Sequence, residues 1–237
     1  MIKEVIFDID GTLYDYSMGH EAGMKAMEAY MEEQFQVSPE KFREAYKAKN
    51  KEIAERLGRD NAAIHSRSIR LQNILENMGK PIFPHTRKLY RLYWDALLAG
   101  SRPEPGSLKC MEELKKMGMT IGIGTDMTAM MQYEKLEFYG FAPYISHMVS
   151  SQEAGVETPH KEFMELCIRK SGVKPEECLF VGDSFPKDVC GSAACGMKAV
   201  WYNPKGKARP EGTELSEDAY HEIRQYDELL PYIRSLA

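Results

Sequence analysis

What the sequence lacks narrows it first. No apolar run approaches the roughly 20 residues that a membrane-crossing helix needs, and Lys3 and Glu4 interrupt the opening segment. Neither a span nor a secretory leader is expected, and the cytoplasm is the expected location. Cysteines number five (Cys110, Cys167, Cys178, Cys190, Cys195). The count is odd and no pair has CxxC spacing, so reduced structural thiols are expected rather than a nucleophile. No Lys/Arg block stands out and the formal net charge is −5, which argues against nucleic acid, whose phosphates favour basic faces. His20, His85, His147 and His160 show no metal-ligand spacing. No internal repeat or low-complexity segment is evident.

What remains is an ordinary globular composition, 43% hydrophobic and 28% charged over 237 residues, enough for one α/β domain with an inserted module. Ile2, Val5, Ile6, Phe7 and Ile9 form a dense apolar segment that reads as a strand buried on both faces. Similar segments recur at 119–126 (MTIGIGTD), 177–184 (ECLFVGDS) and 198–203 (KAVWYN), with a weaker one at 144–151. Helical patterns lie between them. Leu108, Met111, Leu114 and Met117 share one stripe before Gly118, and Phe163, Leu166 and Cys167 share another before Gly172. PKDVCGSAACG supplies small residues for close packing and a stop at Gly196.

Strand–helix alternation at this spacing predicts a Rossmann-like, doubly wound parallel sheet, α/β in class. Ligands in such sheets bind beyond the carboxyl ends of the strands. Asp8 and Asp10, Thr125 and Asp126, and Asp183 and Ser184 each follow an apolar run, so three polar clusters converge on one rim. Residues 16–103 are different: they lack a convincing strand and carry four helical patterns, around Ala26–Met31, Phe42–Tyr46, Ile69–Met78 and Leu89–Leu97. They predict an inserted α-helical bundle cap, with 1–15 and 104–237 forming the catalytic core. GSRPEPG (100–106) is the expected return hinge.

Two carboxylates one residue apart repel each other and need a cation. With Asp183 they make an oxygen-only set that suits Mg²⁺, which commonly bridges carboxylates to a phosphate. Thr125 adds a hydroxyl for a phosphoryl group, and the turn at Gly11 exposes backbone N–H groups. One aspartate can then act as nucleophile while Asp10 gives a proton to the leaving oxygen and takes one from water.

These residues resemble the motifs of the haloacid dehalogenase superfamily of phosphohydrolases, in its phosphoglycolate phosphatase-like subgroup. DIDGT (8–12) is similar to the first motif, GTD (124–126) to the second and GDSFPKD (182–188) to the fourth. The resemblance implies Asp8 as nucleophile and metal ligand, and Asp10 as acid/base that also lends its carbonyl to Mg²⁺. It further implies Asp183 as metal ligand, Asp188 behind a metal-bound water, and Ile9, Thr125 and Asp126 around the phosphate. Its third motif normally reads GxxKP, whereas this chain has GVETP (155–159), with Thr158 at the lysine position. Lys161, one turn on, is the expected replacement. Asp126 stands where relatives often carry Asn, and its charge is expected to point away from the phosphate.

In the cap, Arg67 and Arg70 read as a solvated face, and Arg67 is the candidate for an anionic substrate. Ser184 and Lys187 read as surface decoration. The expected activity is Mg²⁺-dependent hydrolysis of a small phosphorylated metabolite by a monomer or homodimer, with no nucleic-acid or membrane partner. The alternatives are a phosphomutase on the same scaffold and a weak or inactive phosphate-binding member.

Overall fold

The computed structural model describes residues 1–58, 60–213 and 215–236. In chain order the elements begin with β1 (Glu4–Phe7), α1 (Tyr16–Phe35), α2 (Pro39–Leu57), α3 (Arg67–Asn77) and α4 (His85–Gly100). They continue with α5 (Ser107–Lys116), β2 (Thr120–Thr125), α6 (Ala129–Phe138), β3 (His147–Ser150), α7 (Ser151–Ala154) and α8 (Lys161–Ser171). The last are β4 (Cys178–Gly182), α9 (Cys190–Ala194), β5 (Lys198–Tyr202), β6 (Tyr220–Ile223) and α10 (Leu229–Ser235). Two compact units result, residues 1–14 with 103–237, and residues 15–102. Among the described residues no helix is long and apolar enough to cross a membrane.

The first unit holds one parallel sheet in the order β3-β2-β1-β4-β5-β6. All four residues of β1 are buried, as a central strand covered on both faces requires. Phe7 pairs with Ile123 on one side and Val181 on the other. The ends of β1, β2 and β4 are therefore level, and the residues just beyond them share one rim. Ile6, Val149, Phe163, Cys167 and Phe180 form a core between the sheet and α8, where each large apolar side chain contributes roughly 1.5–3 kcal/mol on burial. In α5 the buried stripe is Ser107, Cys110, Met111 and Leu114, rotated from the expected one, and Met117 is 38% exposed. β6 was not expected, because an edge strand of four residues buries only Ile223 fully and leaves no apolar run to read.

At the opposite end of the same strands, Glu4 and His147 meet across β2, with Nε2 2.8 Å from Oε1. Gly122 makes this possible: a Cβ there would lie 2.5 Å from the His147 ring and 2.8 Å from Oε1.

The second unit is a bundle of α1 to α4. Asp15 caps α1, accepting the N–H groups of Ser17 and Met18 at 3.0 and 3.2 Å, and Ser38 and Ser66 cap α2 and α3. α1 and α4 approach closely because Gly23 leaves room for Tyr93, whose ring would lie 2.7 Å from a Cβ. The arginines of α3 correct the sequence reading, for Arg67 and Arg70 are buried. Arg67 donates to the hydroxyls of Tyr16 and Tyr93 at 2.9 and 2.7 Å, and its guanidinium lies 4.4 Å from the Trp94 ring centroid. Ring faces and hydroxyls replace the lost water, and periodicity alone assigns such a face to solvent.

Candidate active site

Asp8 follows β1 directly, and its N–H continues the sheet by bonding to the Val181 carbonyl at 3.0 Å. The turn that follows places Gly11 at φ +90°, and a Cβ there would lie 3.1 Å from the Asp183 carboxylate. A glycine is needed on both counts. Thr12 donates to Asp8 Oδ2 at 3.3 Å and accepts the Asp183 N–H at 3.0 Å. Asp188 accepts the Ser184 N–H at 2.9 Å, folded back over Gly182, where a Cβ would lie 2.2 Å from its carboxylate.

Asp8, Asp183 and Asp188 each offer an oxygen within 4.8 Å of the others. Their mutual electrostatics are unfavourable. Burial, then the charges of Asp188, Asp10 and Asp183, raise the Asp8 pKa well above the usual carboxylate range. Burial pushes Asp188 up to about 8 and raises Asp183 as well. One buried and two half-buried acids, all oxygen in character and with a single ammonium, Lys207, 3.7 Å from Asp183 among the described residues, fit a hard divalent cation.

Asp10 is tuned the other way. Burial opposes its ionisation, but the Lys135 charge, with hydrogen bonds from Lys135, Tyr14 and Gln132, lowers its pKa overall. Lys135 Nζ lies 2.6 Å from Oδ1 and 2.7 Å from Oδ2. Tyr14 donates to Oδ1, and Gln132 Nε2 donates to Oδ2 at 3.1 Å. The two carboxyls are thus driven apart, Asp8 toward its protonated form and Asp10 toward the carboxylate, and a divalent cation among the acids would reverse the first shift.

A third group surrounds Asp126. The Thr158 N–H and hydroxyl donate to its two oxygens at 3.0 Å each. Lys187 Nζ meets the same Oδ2 at 2.8 Å and Glu157 at 3.4 Å.

The model of the haloacid dehalogenase-like hydrolases matches residues 2–196. The chain belongs to that family. It is 31% identical over 229 residues to the ribulose-1,5-bisphosphate 5-phosphatase of Halopiger xanaduensis, covering 96% of this chain and 94% of the relative. It is 32% identical over 243 residues to the glyceraldehyde 3-phosphate phosphatase of Methanopyrus kandleri, covering 100% and 99%. Among solved structures, a haloacid dehalogenase-family phosphatase from Thermococcus onnurineus superposes with a TM-score of 0.75 at 24% identity, over 98% of each chain. A 2-haloacid dehalogenase from Pseudomonas syringae pv. Tomato reaches 0.77 at 24% identity, over the whole of each chain. At that identity these two structures speak for the fold alone.

Within this haloacid dehalogenase-like hydrolase the expected lysine is not where the sequence reading put it. The Lys161 side chain is 74% exposed and its ammonium lies 3.3 Å from Glu165, one turn along α8. Position 161 opens that helix, so the side chain leaves along its outer face. Lys187, read as decoration, instead brings its ammonium to the Asp126 oxygen that the Thr158 hydroxyl also binds. The Asp126 carboxylate is thus taken up by Thr158 and Lys187, and only its main chain is left for a phosphate. Its carbonyl and the Thr125 hydroxyl accept from Gln132 at 2.9 and 2.8 Å. Ile9 is buried, and its N–H lowers the Asp8 pKa against the larger raising effects.

Sequence reasoning missed Lys135, Gln132, Thr12 and Tyr14. A signal was present for two of them. Gln132 and Lys135 lie on the same buried stripe of α6 as Met131 and Leu136, and polar groups on a buried stripe need a partner. The partner, Asp10, lies more than a hundred residues earlier in the chain.

Proposed function

We propose that this chain is a Mg²⁺-dependent phosphomonoesterase that hydrolyses a small phosphorylated metabolite through a phosphorylated Asp8, in the cytoplasm. One observation carries the reading: two half-buried aspartates separated by a single residue, Asp8 within an all-oxygen acidic cluster and Asp10 in an ion pair with Lys135. The names of the relatives point to short phosphorylated sugars as the substrate class.

Asp8 attacks phosphorus, and a new P–O bond forms as the bond to the leaving oxygen breaks. Asp10 supplies the proton that this oxygen takes up. Asp10 then removes a proton from water, whose oxygen bonds to phosphorus as the Asp8–phosphorus linkage opens. Alcohol and inorganic phosphate leave, and both aspartates return to their starting states. The Thr125 hydroxyl and the main-chain N–H groups of Ile9 and Asp126 are the proposed phosphate donors. Asp8, Asp183 and the Asp10 carbonyl are the proposed Mg²⁺ ligands, with Asp188 positioning a water. When bound, the ion offsets the charge that gathers as a phosphate meets carboxylates. Arg67, whose guanidinium has hydroxyls and ring faces rather than a carboxylate for partners among the described residues, is the cap residue proposed to recognise an anionic substrate.

The test is phosphate release from three- to five-carbon sugar phosphates with Mg²⁺, with and without chelator, for the wild type and Asp8→Asn. Turnover that is lost on chelation and in the variant supports the reading. A folded wild type silent across the panel, or an active Asp8→Asn, overturns it in favour of phosphate binding without hydrolysis.

A further inference from the structure

Lys135 is fully buried. It shares the buried stripe of α6 with Met131, Gln132 and Leu136, and an apolar side chain would pack there without the desolvation that an ammonium incurs. Its ammonium meets both oxygens of the Asp10 carboxylate, at 2.6 and 2.7 Å. The Tyr14 hydroxyl holds Oδ1 as well.

Oδ2 is less committed. Besides Lys135 it has the Gln132 amide at 3.1 Å, and that nitrogen also faces Thr125 Oγ1 at 2.8 Å and the Asp126 carbonyl at 2.9 Å. An amide nitrogen has two N–H bonds for these three acceptors. The longest of the three, to Asp10, is the one that gives way most easily.

We infer that Lys135 is a positioning residue for proton transfer by Asp10: it fixes the carboxylate with Oδ1 against Tyr14 and leaves Oδ2 as the oxygen that exchanges the proton with the leaving group. Gln132, one turn earlier on α6, is the contact that yields. The inference rests on the phosphomonoesterase reading and goes beyond it in naming a residue outside the family motifs and the working oxygen.

Proton donation matters in proportion to the basicity of the leaving oxygen. A p-nitrophenolate departs without a proton, whereas a sugar alkoxide does not. The test therefore compares kcat/KM, which reports steps up to loss of the leaving group, for p-nitrophenyl phosphate and glyceraldehyde 3-phosphate in the same preparations with Mg²⁺. Lys135→Met is expected to lower kcat/KM for the sugar phosphate by about 100-fold or more, the scale of general acid catalysis, through kcat rather than KM. The aryl ester is expected to lose no more than about fivefold, since positioning of the acid contributes little there. Lys135→Arg is expected to recover most of the difference.

Equal losses on both esters, or no loss on either, overturn the inference, the first by assigning Lys135 to the nucleophile or to the fold. If Lys135→Met does not fold, Lys135→Gln, which removes the charge and keeps a donor, is read on the same pair and must show the same selectivity at about tenfold; without it the inference fails. A wild type that cleaves neither ester removes the phosphomonoesterase reading itself, and is distinguished from failure of the Lys135 role by the wild-type rates alone.

Discussion

The hydroxyl of Thr12 accepts the backbone N–H of Asp183 at 3.0 Å. The same oxygen donates to Asp8 Oδ2 at 3.3 Å, so one short side chain fixes the spacing between acids that follow two different strands. Thr12 is fully buried, and its main-chain carbonyl is held by the Tyr226 hydroxyl at 2.8 Å.

Thr12→Val keeps the shape and removes both bonds. Leaving the Asp183 N–H unpaired is expected to cost about 1–3 kcal/mol of stability. The Mg²⁺ concentration for half-maximal activity is expected to rise, because the acids no longer share a spacer. Denaturant unfolding and Mg²⁺ titration of phosphate release check the two effects separately.

The acidic cluster sets a pH dependence of stability. The folded pKa of Asp188 is raised to about 8, while the unfolded value is about 3.9. A raised folded pKa gives stability that is present below the unfolded pKa and lost as pH rises through the folded one. Metal-free protein is therefore expected to lose stability from about pH 4 to about pH 8 through this group. His20, whose pKa is lowered by burial and then by Arg67, acts in the opposite sense near neutrality, so the measurement is the difference between wild type and Asp188→Asn. That difference is expected to grow in favour of the variant with rising pH, and added Mg²⁺ to stabilise the wild type more at pH 8 than at pH 5. A flat difference in Tm across the range contradicts this account.

Gly122 makes room for the Glu4–His147 pair far from the chemistry. Gly122→Ala forces a Cβ to 2.5 Å from the His147 ring, and overpacking of that kind costs typically about 1–3 kcal/mol. A lower Tm with unchanged KM is expected. Glu4→Gln combined with His147→Ala removes the obstacle, and Gly122→Ala should then cost less.

The cation on Asp126 is testable by exchange. Lys187→Met removes the 2.8 Å ion pair from a half-exposed ammonium, so the loss is expected to be about 1 kcal/mol after solvent screening. Thr158→Lys in that background restores a lysine to the family position. The double variant is expected to recover stability and activity relative to Lys187→Met, whereas Thr158→Lys alone places two ammonium groups on one carboxylate and gains nothing. Additive effects in this cycle would show that the two positions do not share a function.

The strands of the parallel sheet and the aspartates on its rim were legible in the sequence for one reason. A parallel sheet buried on both faces writes each strand as a continuous apolar run, and the chemistry must follow where each run stops. Five of the six strands and the placement of Asp8, Asp183 and Asp188 follow from that local rule together with the motif resemblance, and the four helices of the second unit follow from apolar periodicity. The sixth strand, too short and polar to leave a run, did not.

The cations were decided by tertiary structure alone. Lysine at 135, 161 and 187 looks the same in a sequence, and the motif drew attention to 161 by proximity along the chain. Folding sends Lys161 outward to Glu165, buries Lys135 against Asp10 and swings Lys187 to Asp126. The same holds for Arg67, which helical spacing assigned to solvent and packing placed among aromatic rings. Backbone hydrogen bonding and apolar periodicity are local and repeat along the chain, so they can be read from it. The partner of a long charged side chain is fixed by which distant elements the sheet order brings together, and that is settled only when the chain has folded.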